Sequence, residues 1–125
     1  MKRLTAEWVE KAETDFLAAK ALAAESVPLH EPVCFHCQQT GEKYLKALLK
    51  EAGAKIPRTH DLVQLLSLRA PHYRLRGGLK RGMGFLNPFA VETRYPGKRA
   101  RKRQAVAALR WAGKIRDQCR GLLGL

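Results

Sequence analysis

The sequence predicts an all-α fold, an antiparallel up-and-down bundle of four to five helices. Two observations carry that prediction: apolar residues recur at spacings of three and four along three long segments, and no convincing strand interrupts them. A third is punctuation, since Pro28, Gly53 and Pro71 fall between segments, where helices stop. The 125 residues and 14.1 kDa fit one domain spanning residues 1–125, large enough to fold around its own core without disulfides.

The first helix is expected from Thr5 to about Glu25. Thr5 suits an N-cap, and Glu7 and Glu10 suit the positive end of the helix dipole. Trp8, Ala12, Phe16, Ala19, Leu22 and Ala23 form its apolar stripe. The second helix starts near Glu31–Pro32, with proline at a tolerated first-turn position, and stops at Gly53. Cys34, Cys37, Gly41, Tyr44, Leu45, Leu48 and Ala52 fall on its core face, while His36, Gln39, Lys43 and Lys46 fall off it. That polar strip either meets solvent or lines a groove against the C-terminal half. After AKIPR, Thr59 is expected to cap a short third helix that Pro71 closes.

Between His72 and Pro88 the four glycines at 77, 78, 82 and 84 disfavour a long helix and leave room for a short one around Leu79. Residues 87–97, NPFAVETRYPG, read as an ordered loop. A last helix is expected from about Arg99 to Leu123, with Ala105, Leu109, Ala112, Ile115, Cys119 and Leu122 as its stripe. Lys98, Arg99, Arg101, Lys102 and Arg103 would then crowd its first turn, where the dipole favours anions.

Charge is distributed unevenly. Residues 1–65 carry nine Lys/Arg and nine Asp/Glu, whereas residues 66–125 carry fifteen Lys/Arg against Glu92 and Asp117, so the formal net charge of +13 lies in the second half. A polyanion-binding face explains this, whether for phosphate esters, nucleic acid or an acidic protein. So does a solvated Arg-rich surface of the kind found in heat-adapted proteins, which also shed labile amides; Asn87 is the only asparagine. No run of about 18 apolar residues offers a membrane span, and the N-terminus MKRLTAEWVEKAETD lacks a continuous apolar stretch, so a cytoplasmic protein with reduced thiols is expected.

Four motifs bear on chemistry. Cys34-Phe-His-Cys37 has metal-ligand spacing without a second pair, and on a helix the two thiols simply share the core face, so no metal is expected. Thr59-His60-Asp61 ends a loop and starts a helix, or binds a ligand. Arg94-Tyr95-Pro96 can clasp a phosphate and stack a base; equally, Arg94 can pair with Glu92 while Tyr95 packs on the bundle. Gly77-Gly78 lacks the continuation of a phosphate loop. Ser26 and Ser67 have no nucleophile context, and the basic half lacks paired carboxylates for metal-assisted phosphoryl transfer.

The stretches AEWVEKAETDFLAAKAL, VCFHCQQTGEKYLKALLKEAG, PRTHDLVQLLSL and FLNPFAVETRYPG, followed by a C-terminal helix, resemble in their order the HEPN domain (higher eukaryotes and prokaryotes nucleotide-binding) over roughly residues 5–123. The resemblance implies a helical bundle that commonly forms a homodimer, nucleotide binding, and pairing with a minimal nucleotidyltransferase, in some cases as toxin and antitoxin. Many HEPN proteins are metal-independent RNA endonucleases with an Arg followed by a His after four to six intervening residues. None of His30, His36, His60 and His72 has an Arg at that distance before it, and Arg58 and Arg69 lie too close to His60 and His72. The expectation is therefore a non-catalytic protein, with no catalytic residues, that binds a nucleotide such as ATP, or RNA. His36, Lys43, Arg94, Tyr95, Arg99, Arg101 and Lys102 are the candidate ligand groups: the cations neutralise phosphate, and Tyr95 and His36 stack or hydrogen-bond. The alternative is an RNA endonuclease toxin with a non-standard active site, since Arg and His from different helices can still meet.

Overall fold

The computed structural model describes residues 1–69 and 72–125, and no strand occurs among them. Five helices follow one another: α1 (Arg3–Ala23), α2 (His30–Glu51), α3 (Leu62–Arg69), α4 (Leu79–Leu86) and α5 (Lys102–Leu122). Two short 3₁₀ turns, Asn87–Ala90 and Glu92–Arg94, join α4 to α5. The expected all-α bundle is present, and among the described residues no helix is long and apolar enough to cross a membrane.

α2 is the axis of the molecule. Between Cys37 and Leu49 only Gln39 and Lys43 are more than slightly accessible, so almost its whole circumference is enclosed. α1 lies antiparallel to it, pairing Lys2 with Glu51 and Asp15 with Lys43. α5 runs in the same direction as α2: Gly41 meets Ile115, and further on Tyr44 meets Arg120. The short α3 and α4 carry the chain back between them. Leu45, Leu48, Leu49, Leu62, Leu65, Met83, Leu86 and Ile115 fill the centre, and burial of such side chains stabilises by roughly 1.5–3 kcal/mol each.

Several expected boundaries move, each for a reason outside the segment itself. α1 begins at Arg3 with Lys2 as N-cap, because the Lys2 backbone N–H donates to Glu51 Oε1 at 2.9 Å and its ammonium to the Lys50 carbonyl at 3.3 Å. Thr5 is therefore buried within the first turn rather than capping it, and α1 stops at Ala23, short of Glu25. Its stripe is rotated: Val9 and Asp15 are buried, Trp8, Phe16 and Leu22 half-buried, and Ala23 exposed. α2 begins at His30 and ends where Gly53, at φ +74°, turns the chain. On its polar strip Lys46 is buried instead of solvated, and its ammonium lies 5.5 Å from the centre of the Trp8 ring.

Asp61, not Thr59, caps α3. Its Oδ1 accepts from the Val63 and Gln64 amides at 3.0 and 3.2 Å. Pro71 lies outside the described residues. Residues 87–94 are wound into the two 3₁₀ turns rather than forming a loop. α5 starts three residues later than expected, at Lys102, where Gln104 Oε1 accepts from the Arg101 amide at 2.8 Å. Lys98, Arg99 and Arg101 thus precede the helix, and the first turn holds two cations of the expected five. Within α5, Leu109 is half-buried and Leu122 exposed, while Ala108 joins the core.

Candidate functional site

His36 and Arg94 line one cavity although 57 residues separate them in the chain. α2 carries Phe35 and His36, and the second 3₁₀ turn carries Thr93 and Arg94 across the same end of the bundle. The Arg94 guanidinium lies 5.3 Å from the centre of the Phe35 ring, and the His36 ring meets that ring edge-on at 5.4 Å. Together with Glu31, Pro32 and Thr93 they line an open cavity of about 260 Å³. A smaller cavity of about 60 Å³ adjoins it through Glu31 and Thr93, and adds Glu92, Lys98 and Arg99. The two form one groove rimmed by cations, with two carboxylates, Glu31 and Glu92, in its wall.

Behind the groove lies Asp15, whose side chain is 10% accessible. His36 Nδ1 approaches its Oδ1 at 2.8 Å, and the Lys43 ammonium donates to its Oδ2 at 2.5 Å. An ionised carboxylate only accepts, so the Nδ1 hydrogen is committed to Asp15 and Nε2 is left for another partner. The carboxylate also fixes the ring orientation. Lys43 thereby joins the site indirectly, as a neutralising charge for Asp15.

The remaining candidates disperse. Arg99 reaches the smaller cavity. Tyr95 is 61% exposed and lines neither part of the groove, and its neighbour Arg94 covers Phe35 instead of pairing with Glu92. Arg101 is the exposed N-cap of α5. Lys102 borders a different cavity of about 300 Å³ below the α1–α2 turn, walled by Leu22, Val27, Val33, Ala105 and Leu109 among others. Sequence reasoning missed Asp15 and Phe35. Asp15 carried a usable signal, because it sits at core spacing between Ala12 and Ala19, where an acid needs a partner.

Two further polar networks are internal ties. Glu13 on α1 accepts two hydrogen bonds from Arg116, at 2.7 and 2.8 Å, and one from the Tyr44 hydroxyl. The Arg116 bonds hold the Glu13 carboxyl below its usual range, and burial, reinforced by Glu13, pushes Tyr44 up to about 12. Glu42, buried on α2, pairs with Lys46 at 3.1 Å and His60 at 2.8 Å, and Gln38 donates to the His60 carbonyl. His60 is thus drawn onto α2 and away from the groove. Cys34, Cys37 and Cys119 are free and buried; burial raises all three thiols, Cys34 and Cys119 to about 12. Among the described residues no group of three or more His, Cys, Asp or Glu side chains is placed to hold a metal ion.

A search among curated proteins finds no match. Among solved structures, TT1696 from Thermus thermophilus superposes with a TM-score of 0.84 at 23% identity, covering 97% of this chain and 98% of that one. ST0689, described as an archaeal HEPN homologue, superposes with a TM-score of 0.75 at 25% identity over 98% of both chains. The family model described as HEPN domain matches residues 5–122. With that match spanning nearly its full length and the helical bundle shared with these structures, the chain belongs to the HEPN domain family.

Proposed function

We propose that this HEPN protein binds a nucleotide, ATP being the first candidate, in the groove between α2 and the 3₁₀ turns. It does so as a homodimer, as the non-catalytic member of a pair with a minimal nucleotidyltransferase of the toxin–antitoxin kind. The observation that carries the binding reading is the convergence of His36 and Arg94 on one cavity, with Lys98 and Arg99 next to it. Arginine offers a phosphate a bidentate fork, and His36 is oriented by Asp15. Glu31 and Glu92 suit a ligand that presents hydrogen-bond donors as well as an anion, as a nucleotide does with its ribose hydroxyls and base amines. Calorimetric titration with ATP at near-physiological salt is the test: saturable binding near one per chain, abolished by Arg94→Ala, is the expected result. A chain that gives no heat, or an Arg94→Ala variant that binds equally well, removes the groove as the site.

A second reading, metal-independent RNA cleavage, is favoured by one contact. Asp15 leaves the His36 Nε2 free beside Arg94, so a proton carrier and a cation for developing phosphate charge share one cavity. Incubation of RNA with the protein in excess chelator decides it. Cleavage that falls by two orders of magnitude or more in His36→Ala, and partially in Asp15→Asn, supports a nuclease; intact RNA retains the binding role.

A further inference from the structure

Away from the groove, a second set of cations lies along the seam of α4 and α5. On α5, Arg103, Arg110 and Lys114 follow at intervals of seven and four residues, which puts them on one face over about 16 Å of helix axis. All three are exposed. α4 is set against this helix by Gly82, where an added Cβ would lie 2.2 Å from Cε3 of Trp111, so the indole rests on bare backbone. Lys80 and Arg81 are both exposed on α4, within two residues of that contact. One turn beyond Lys114, Gln118 grips the loop before α4: it accepts from the Arg76 amide and donates to the Arg76 carbonyl, each at 2.7 Å. Arg76 extends the row at that end.

Among the described residues none of these six cations has an ion-pair partner. Asp117, the acid nearest in sequence to Arg110 and Lys114, lies 3.7 Å from Arg116. Like charges held this close repel, and a continuous partner of opposite sign relieves that repulsion. The row is too long for one mononucleotide. It also lacks the apolar centre of a protein interface, with Val106 a lone exposed aliphatic beside it. Trp111 offers no free stacking face, since Gly82 lies on it and the Lys114 ammonium sits 4.9 Å from its ring centre.

We propose that the α4–α5 seam binds the sugar–phosphate backbone of a nucleic-acid strand, recognising its charge and not its base sequence. The proposal does not depend on nucleotide binding in the groove. Its test is the fluorescence anisotropy of labelled single-stranded RNA and DNA oligonucleotides of about 20 nucleotides, titrated with the full chain across a range of salt. Both should bind, with affinity falling steeply as salt rises. Arg110→Gln/Lys114→Gln should weaken both about tenfold at physiological salt and flatten the log–log salt slope by about 1.4, at about 0.7 per lost phosphate contact. Lys80→Gln/Arg81→Gln, on the other helix, should do the same and covers the case of a misfolded first variant. His36→Ala/Arg94→Ala should bind oligonucleotides like the parent chain. Unchanged affinity in both seam variants overturns the proposal. So does an equal loss in the groove variant, which would place the strand there, or tighter binding of polyglutamate than of the oligonucleotide at matched charge, which would make the seam a surface for acidic protein.

Discussion

Glu13 stands where α1, α2 and α5 meet, and its carboxylate is the only acid within reach of Arg116, Arg120 and the Tyr44 hydroxyl together among the described residues. Because these bonds hold its folded pKa below the usual 4.5, it contributes stability above that pH and loses the contribution as pH falls through the lowered value. Glu13→Gln should therefore cost about 1–2 kcal/mol at neutral pH in denaturant titrations, and the gap to the parent should shrink as the measurement moves toward pH 3. A gap that stays constant with pH would show that the carboxylate charge is not the stabilising element. Asp15 is the contrasting residue. Its partners, His36 and Lys43, are both legible as a polar strip on α2, yet the acid that joins them comes from α1. Residue spacing within one helix reveals a face, not what the neighbouring helix sets against it.

Helix starts show the same limit at the next scale. Thr59 and Asp61 are both good caps by type. The choice falls to Asp61 because the chain's only asparagine, 26 residues further on, donates to its Oδ1 at 2.9 Å while accepting from the Leu62 amide at 2.8 Å. No local pattern contains that information. The sequence predicts α4 only as a short helix around Leu79, since two of its eight residues are glycine, and the two serve differently. Gly82→Ala should destabilise by about 1–3 kcal/mol, as its new methyl would meet the Trp111 ring at 2.2 Å and force α4 off α5. Gly84→Ala, with nothing within 4 Å, should stabilise by about 0.5–1 kcal/mol through helix propensity. Thermal unfolding of the two variants beside the parent checks both signs; equal shifts would mean that the Trp111 contact does not set the position of α4.

For the whole molecule, the all-α architecture is readable because three long periodic segments can bury their stripes only against one another. The direction of the bundle is less so: α5 lies alongside α2 in the same sense, which requires the short helices to return the chain, and the glycines around them blur their pattern. Charge is legible as a sum but not as a map. The seven candidate ligand groups separate into a groove pair, a flanking arginine, a supporting lysine and three residues placed elsewhere. The depth of α2 also has a practical side. Its two thiols, like that of α5, sit in the core with thiolate formation suppressed by burial, and the thiolate is the reactive species. A cysteine introduced at an exposed position such as Val106 would then be the one handle open to maleimide chemistry in the folded state, so a dye or cross-linker can be attached to this chain without removing any native cysteine.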